Sequence, residues 1–198
     1  VDLTKFNPAF RDGQYWSLHG MNGCFKFIYV GRVAYEKNIT VLMEAWRNLT
    51  QEGFQAELAI VGDGPHLKEI RKKYEHLPGL VFTGFLAGRE LSKAYANADV
   101  LVFPSQTDTF GNVVLEAHAS GLPAIVSDQG GPQEIVNAHQ SGLVVDARDC
   151  KNLVKAMRHI ISDPEGFMEM KKNALISARE SDWGKVLDML ETPQFVDA

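Results

Sequence analysis

The chain has 198 residues, of which 45% are hydrophobic and 23% are charged. These ordinary globular values indicate neither disorder nor a membrane span, and the length suits one well-buried domain. No apolar run approaches the roughly 20 residues that a helix needs to cross a bilayer. A formal net charge of −5 argues against a general nucleic-acid-binding surface, so an anionic ligand would need local basic residues.

Cysteine and histidine give no sign of a metal site. The two cysteines, Cys24 and Cys150, are far apart and lack metal-ligand spacing, and the six histidines form no HxxxH pair. We therefore expect a reduced, cytoplasmic chain, with a single long-range disulfide as the alternative.

The first elements follow an irregular start. The apolar residues of Val1 to Pro8 show no periodicity, and Arg11 to Gly23 is a polar stretch that contains glycine. Residues 1–24 are therefore expected to form a linker and a loop, with a short helix between Arg11 and Gly23 as the alternative. The run from Phe25 to Val30 is aromatic and β-branched and predicts a buried strand. The apolar stripe within Ile39 to Gln51 predicts a helix.

Two basic residues, Arg32 and Lys37, lie between that strand and that helix. Ligands of open α/β sheets bind outside the carboxyl ends of the strands, which is where both residues fall. A guanidinium fork and an ammonium charge both suit a phosphate group. A surface pair with Glu36 explains the spacing equally well.

Two more strands are predicted over Glu57 to Val61 and Leu80 to Thr83, with helices over Pro65 to His76 and Leu91 to Asn97. The Gly-x-Gly turn after the first of these strands invites a dinucleotide interpretation, but Leu67 occupies the position of the third glycine. A tight turn explains these glycines about as well as a ligand does.

The stretch from Val100 to Gly121 organises the rest of the chain. It predicts a buried strand over Val100 to Phe103, a polar loop over Ser105 to Thr109 and a helix over Gly111 to Ser120. The first N–H groups of such a helix lack partners and lie at the positive end of its dipole, which suits a phosphate. Gly111 would let a ligand approach the backbone closely.

Two carboxylates frame this junction, Asp108 before the helix and Glu116 inside its apolar run. A buried carboxylate is costly unless something donates a hydrogen bond to it, so Glu116 needs a partner. Asn112, one turn earlier, and the diol of a bound sugar are the two candidates.

The alternation of strands and helices continues to the end of the chain. Strands are predicted over Ala124 to Val126 and Gly142 to Val145, and helices over Pro132 to Val136, Lys151 to Ser162 and Glu165 to Glu180. The two glycines before the first of these helices form either a second anion cradle or a bare turn. The whole pattern predicts a Rossmann-like α/β fold, a doubly wound parallel sheet with right-handed crossovers.

Several motifs together resemble those of the retaining, family 4 (group 1) glycosyltransferases of the GT-B fold. The similarity covers the segments GRVAYEKN and VGDGP and the pattern E-A-x-A-x-G-x-P after a Phe-Gly pair. Asn38 replaces the usual glycine of the first segment, and Asn also visits left-handed conformations. The other signature residues are Asp108, Phe110, Gly111, Glu116, Ala117, Ser120, Gly121 and Pro123.

The resemblance implies a domain organisation. Residues 25–183 would be the nucleotide-sugar-binding, C-terminal half of a GT-B fold, entered through a linker like residues 1–8. Residues 184–198 would form a tail or helix, with Trp183 to Leu190 as a helix that returns to the N-terminal domain. That domain, which binds the acceptor, is expected to be absent, so the isolated chain should transfer nothing. The resemblance leaves room for peripheral membrane association of the full-length enzyme.

The same resemblance gives each site residue an expected role. Arg32 and Lys37 would hold the donor diphosphate, Asp108 would meet the transferred sugar, and Glu116 would bind the ribose hydroxyls. Asp108 replaces the more common Glu and loses roughly 1.5 Å of reach. His118 is expected to be a packed or hydrogen-bonded helix residue, since relatives place their functional polar groups elsewhere. The expected catalytic residues are Arg32, Lys37 and Asp108, and the expected donor-binding residues are Gly31, Gly62, Phe85, Leu86, Phe110, Gly111, Asn112, Val113 and Glu116.

The reaction implied is the transfer of a hexose from a nucleotide-sugar with retention of configuration and without an obligatory metal or other cofactor. Arg32, Lys37 and the amides near Gly111 would stabilise the charge of the departing diphosphate. The motifs look closest to branches that use GDP-mannose or UDP-sugars. The alternatives are a GT-B nucleotide-sugar epimerase or phosphorylase, and a non-catalytic nucleotide-binding module or dehydrogenase-like domain.

Overall fold

The computed structural model describes residues 1–23 and 25–181 of the chain. The predicted helix from Trp183 to Leu190, the tail 184–198 and the disulfide alternative that involves Cys24 lie outside these residues. No helix in the described part of the chain is long and apolar enough to cross a membrane.

The described residues contain one parallel sheet. Its strands run β3-β2-β1-β4-β5-β6 across the sheet, the order of a doubly wound Rossmann-like fold, which confirms the predicted fold class. Each predicted strand agrees with the structure to within one residue at either end. The strands are β1 (Lys26–Val30), β2 (Glu57–Val61), β3 (Leu80–Gly84), β4 (Val100–Phe103), β5 (Ala124–Ser127) and β6 (Gly142–Val145).

Helices connect the strands and cover both faces of the sheet. Short 3-10 helices over Pro8–Phe10, Tyr15–His19 and Tyr35–Lys37 lie in the connecting segments. The α-helices are α1 (Ile39–Gln51), α2 (Leu67–Tyr74), α3 (Gly88–Ala96), α4 (Asn112–Ala119), α5 (Pro132–His139), α6 (Cys150–Ser162) and α7 (Pro164–Glu180).

Helix ends account for most differences from the sequence prediction. α3 begins at Gly88, before the predicted Leu91, because its first turn is polar and contributes nothing to an apolar stripe. α5 continues past Val136 because its last turn is mostly polar and adds little to an apolar stripe. It ends where Gln140 is left-handed, with a φ of 52°. α2 is two residues shorter at each end than predicted, since residues 65–66 form a turn.

The sheet is buried on both faces, as a parallel sheet between helical layers should be. β4 and β5 are buried throughout, and β1 and β2 are buried at every position but the first. The two edge strands, β3 and β6, are mostly half-buried. Trp46 of α1 is fully buried, and its indole N–H donates to the Pro78 carbonyl oxygen at 3.1 Å.

The strand order reverses between β1 and β4, so the chain leaves these neighbouring strands toward opposite sides of the sheet. The loop after β1, residues 31–38, and the loop after β4, residues 104–111, consequently flank a crevice at the carboxyl edge. Ligands of doubly wound sheets bind at such a reversal. The fold therefore places both predicted basic residues and the predicted acidic residue around one crevice.

Gly62, directly after β2, occupies a position where other residues do not fit. Its φ is 140°, and an added Cβ would lie 1.9 Å from the Gly31 carbonyl oxygen. We expect Gly62→Ala to lower the free energy of unfolding by roughly 3 kcal/mol, because two backbone segments must separate. Urea unfolding followed by circular dichroism measures this loss.

Gly53→Ala is the matched control for that substitution. Gly53 also has a positive φ, 74°, but an added Cβ meets nothing within 4 Å. We therefore expect a loss of only about 1 kcal/mol, the cost of the left-handed conformation itself. Equal losses in the two variants would show that the contact with Gly31 does not matter.

Candidate functional site

The loop after β1 is held in place by hydrogen bonds to its neighbours. Tyr29 of β1 donates its hydroxyl to the Arg32 carbonyl oxygen at 2.8 Å. Asn38, at the end of the loop, is left-handed with a φ of 57°, which confirms the conformation expected of it. Its side-chain amide donates to the carbonyl oxygens of Pro104 (3.3 Å) and Ala147 (2.7 Å). Asn38 thus ties the loop to the carboxyl ends of two other strands, a role that the sequence did not indicate.

An ion pair joins the two loops across the crevice. Lys37 Nζ lies 3.0 Å from Asp108 Oδ2, and the two side chains are 21% and 23% exposed. The other carboxylate oxygen of Asp108 accepts the backbone N–H of Gly111 at 2.9 Å. Thr107 adds a second link, since its hydroxyl donates to the Glu36 carbonyl oxygen at 3.1 Å. The structure therefore brings together two of the three residues predicted to be catalytic.

The surroundings of Asp108 lower the pKa of its carboxyl. Burial alone would raise the pKa of this group, but the hydrogen bonds from the Gly111 backbone and the Lys37 ammonium outweigh burial. The pKa of Asp108 therefore lies below its ordinary value of 3.8. At neutral pH the crevice contains a carboxylate and an ammonium in direct contact.

α4 begins beside this pair with backbone amides that have no partner among residues 1–23 and 25–181. Gly111 precedes the helix with a φ of 69°, and an added Cβ would lie 3.0 Å from Ile135 Cδ1 and 3.1 Å from Pro132 Cα. The N–H groups of Asn112 and Val113 make no hydrogen bond within the described part of the chain. Free amides at the positive end of a helix dipole suit an anion.

The two glycines before α5 pack against the loop after β4. An added Cβ would lie 2.3 Å from the Asp108 carbonyl oxygen at Gly130 and 2.0 Å from that of Thr109 at Gly131. The Gly131 N–H also donates to the Asp108 carbonyl oxygen at 3.0 Å. Close packing of two loops therefore explains these glycines without a second anion cradle.

Glu116 has its hydrogen-bond partner on α3 and not on its own helix. The Tyr95 hydroxyl donates to Glu116 Oε2 at 3.0 Å, and the Tyr95 side chain is fully buried. Asn112, the protein partner considered from the sequence, is exposed and makes no hydrogen bond to Glu116. No local spacing could have found Tyr95, because it lies on a different helix before β4.

Burial and the hydrogen bond between Tyr95 and Glu116 shift the pKa values of these two groups to different extents. Burial raises the pKa of Glu116 above its ordinary value, and the hydrogen bond from Tyr95 partly offsets that rise. Burial and the neighbouring Glu116 charge raise the pKa of Tyr95 well above its ordinary value, so its hydroxyl remains a donor at neutral pH. Oε1 of Glu116 accepts no hydrogen bond within residues 1–23 and 25–181, yet it is not sealed from solvent.

Beside the crevice, the ends of β1, β2 and β3 border a cleft of about 280 Å³. Phe85 is 73% exposed at its mouth, so it is not the core residue that an aromatic after a strand usually is. Phe110, after β4, is 77% exposed. The lining includes the predicted residues Gly31, Arg32, Gly62, Phe85 and Leu86, and four residues that were not predicted, Val30, Val61, Asp63 and Leu91.

Arg32 lines the cleft and also pairs with Glu36. Their charged atoms are 3.6 Å apart, and the side chains are 64% and 46% exposed. The surface pair considered from the sequence is therefore present, but solvent screens it and leaves the guanidinium available. Within the described residues neither Arg32 nor Lys37 forms an ion pair with Glu116, which is connected to the crevice through α4.

His118 of α4 is fully buried, and its Nδ1 lies 3.1 Å from Ser177 Oγ of α7. Burial lowers the pKa of His118 to about 3, so the ring is neutral. The expectation of a packed, hydrogen-bonded helix residue is confirmed. Over the described ranges, no three His, Cys, Asp or Glu side chains are grouped as metal ligands would be.

Fold and site together define a Rossmann-like domain with a charged crevice and an adjoining cleft at the carboxyl edge of its sheet. The family described as "Glycosyl transferases group 1" matches residues 21–176. The chain belongs to this family.

Two similar proteins agree with that membership. Sulfoquinovosyl transferase SQD2 of Arabidopsis thaliana is 34% identical over 201 residues, which cover 98% of this chain and 38% of that protein. The GDP-mannose-dependent alpha-mannosyltransferase of Corynebacterium glutamicum is 34% identical over 184 residues, which cover 92% of this chain and 43% of that protein. The chain thus spans less than half the length of either relative.

The fold also matches a solved structure. The C-terminal domain of a glycosyl transferase group 1 family protein (LpcC) from Francisella tularensis superimposes with a TM-score of 0.79 at 23% identity. The match covers 91% of this chain and 97% of that domain. The predicted architecture, the C-terminal half of a GT-B fold, is confirmed.

Replacing Lys37 by methionine would leave the Asp108 carboxylate partly buried without its ammonium partner. We expect Lys37→Met to lower the free energy of unfolding by about 1 kcal/mol at pH 7. A carboxyl with a lowered folded-state pKa contributes stability above its unfolded pKa and loses it as the pH falls through the folded value. The difference between the two proteins should therefore persist down to about pH 4 and shrink below it. Urea unfolding at several pH values measures this.

The matched control is Arg148→Met, which breaks the exposed pair of Arg148 with Asp146, whose side chains are 70% and 38% exposed. Little change in stability is expected there, because solvent screens the pair. A Lys37→Met protein as stable as the control at pH 7 would contradict a structural role for the ion pair.

Proposed function

We propose that this chain is the donor-binding half of a retaining glycosyltransferase that transfers a hexose from a nucleotide-sugar. One observation carries the proposal: the Lys37–Asp108 pair, the free amides of α4 and the cleft lined by Arg32 adjoin one another at a single edge of the sheet. Family membership supports transferase chemistry. The GDP-mannose-dependent relative supports a nucleotide-sugar donor.

The donor diphosphate would lie in the crevice. Arg32 and Lys37 supply positive charge, and the amides of Asn112 and Val113 supply further donors. Negative charge grows on the diphosphate as the bond to the sugar breaks, so these groups stabilise the transition state more than the ground state. Because Asp108 neutralises Lys37 in the free protein, the incoming diphosphate competes with Asp108 for the ammonium.

The nucleoside would occupy the adjoining cleft. Phe85 and Leu86 offer apolar surface to the base, and Gly31 and Gly62 let it approach the strand ends. The ribose hydroxyls would donate to Glu116, whose Oε1 has no protein partner in the described ranges. Phe110, Gly111 and Val113 complete the proposed donor site at the start of α4.

Asp108 would receive hydrogen bonds from the hydroxyls of the transferred sugar. With a pKa below 3.8 it is ionised at neutral pH and accepts hydrogen bonds, and its contacts with Lys37 and Gly111 fix its position. The Asp side chain reaches roughly 1.5 Å less far than the Glu that is commoner at this position. We propose retention of configuration because the segment from Asp108 to Glu116 resembles that of retaining enzymes.

The proposal needs no metal, because side-chain cations and helix amides balance the diphosphate charge. The acceptor would be bound by another part of a longer protein, since the chain spans less than half of its relatives. We further propose that the full-length enzyme acts in the cytoplasm with peripheral membrane association. GDP-mannose and UDP-sugars are the proposed donors.

Substitution of either basic residue in the full-length enzyme tests the proposal. We expect Arg32→Ala or Lys37→Ala to lower kcat/KM by about 10²- to 10³-fold, because each substitution removes a positive charge that stabilises the departing diphosphate. Steady-state kinetics with GDP-mannose and with UDP-sugars as donors measures the effect. Arg71→Ala on α2 breaks an exposed pair with Glu75, and neither residue lines the cleft, so this variant should leave the rate unchanged.

Full activity in either variant would refute the assignment of the diphosphate site. The same assays separate the alternative functions. Conversion of the nucleotide-sugar without any acceptor would indicate an epimerase or phosphorylase, and saturable binding of NAD would indicate a dehydrogenase-like domain. Determination of the product anomer by NMR tests retention.

A further inference from the structure

The hydroxyl of Tyr95 has two acceptors within reach and one hydrogen to give. Glu116 Oε2 lies 3.0 Å away, and the Val113 carbonyl oxygen lies 3.4 Å away. The carboxylate oxygen is the closer and the charged acceptor, so it takes the hydrogen. The Tyr95 hydroxyl therefore donates its hydrogen bond to Glu116.

The side chain that donates this hydrogen bond is enclosed by its neighbours. The Tyr95 side chain is 0% exposed, and its ring packs edge-on against Phe6 with centroids 5.7 Å apart. α3 carries Tyr95 and α4 carries Glu116, so the hydrogen bond couples two helices. A fixed phenol on a neighbouring helix sets the position of a carboxylate better than solvent does.

The bond selects one conformation of a flexible side chain. A Glu on a helix has several staggered rotamers, and a single strong contact at Oε2 favours the rotamer that makes it. Oε1 is left without a hydrogen bond in the described part of the chain but remains reachable from solvent. The Glu116 carboxylate thus has one oxygen that is already positioned to accept a hydrogen bond. Binding of a ligand hydroxyl there costs little further side-chain entropy.

We propose that Tyr95 is a positioning residue for donor binding: its hydroxyl holds one oxygen of Glu116 so that the other accepts hydrogen bonds from the ribose of the nucleotide. This rests on the proposed function, in which Glu116 binds the ribose. Tyr95 does not touch the nucleotide itself, and its effect is confined to the ribose hydroxyls.

The chain offers a matched control for the tyrosine hydroxyl. Tyr74 of α2 is also buried, and its hydroxyl donates to the carboxylate of Glu44 on α1, which does not line the cleft. Tyr74→Phe removes the same atom from the same kind of pair. Any general cost of losing a Tyr–Glu hydrogen bond therefore appears in both variants.

The test compares GDP with 2′,3′-dideoxy-GDP, and UDP with its dideoxy analogue, by isothermal titration of the wild-type chain, Tyr95→Phe and Tyr74→Phe. The wild type should prefer the ribonucleotide. We expect Tyr95→Phe to reduce that preference by about tenfold, the size of one charge-assisted hydrogen bond, through weaker ribonucleotide binding alone. Tyr74→Phe should keep the full preference. In a Glu116→Ala background, where position 116 has no oxygen for Tyr95 to hold, Tyr95→Phe should cause no further loss of the preference.

The outcomes distinguish the two levels of the proposal. A wild type without any preference for the ribose would overturn the role of Glu116 in the proposed function, and the role of Tyr95 with it. A wild type with the preference and a Tyr95→Phe variant that retains all of it would overturn the role of Tyr95 alone. An equal loss of affinity for the ribonucleotide and the dideoxynucleotide would also exclude the role of Tyr95. A merely structural defect would weaken both nucleotides alike, whether or not they carry ribose hydroxyls.

A second variant covers the case in which Tyr95→Phe does not fold. 4-Aminophenylalanine introduced at position 95 keeps the shape of the ring and a weaker donor at the same place. We expect a ribose preference below that of the wild type and, where Tyr95→Phe folds, above that of Tyr95→Phe. An undiminished preference would overturn the proposal.

Discussion

The contact on which the site depends is the ion pair of Lys37 with Asp108 across the reversal in strand order. A parallel sheet that is wound in both directions leaves a gap where neighbouring strands send their chains to opposite sides. The ion pair, assisted by Asn38, closes that gap between the loops after β1 and β4. Partial burial alone would disfavour the two charges, and the Gly111 N–H helps to offset that cost. A cation and an anion are thereby fixed beside the first backbone amides of α4.

Backbone segments pack closely against one another at the glycines around the site. Gly62 lies against the Gly31 carbonyl oxygen, and Gly131 lies against that of Thr109, at distances that no side chain would allow. These glycines look like ligand-binding motifs in the sequence, yet packing between adjacent strand ends is sufficient to require them. The two explanations are compatible, since strand ends that pack closely also leave an open edge where a ligand reaches the backbone.

The sequence predicted the sheet well because buried strands carry their signal locally, in short apolar runs between turn residues. It placed Arg32, Lys37 and Asp108 in the correct loops for the same reason. The sequence did not predict hydrogen bonds between residues that are far apart in the chain. Nothing near Glu116 indicates Tyr95 as its partner, and nothing near Asn38 indicates its hydrogen bonds to the carboxyl ends of β4 and β6. Polar first and last turns hid the true ends of α3 and α5, since apolar periodicity cannot mark residues that face solvent.

The most direct test of the central claim is a crystal structure of this chain with GDP or UDP bound. We expect the diphosphate to lie within hydrogen-bond distance of Lys37 Nζ and the amides at the start of α4, the base beside Phe85, and the ribose hydroxyls on Glu116. Lys37 should have exchanged Asp108 for a phosphate oxygen. A nucleotide bound away from the crevice, or one bound there with Glu116 still facing only Tyr95, would contradict the claim that these segments form one donor site.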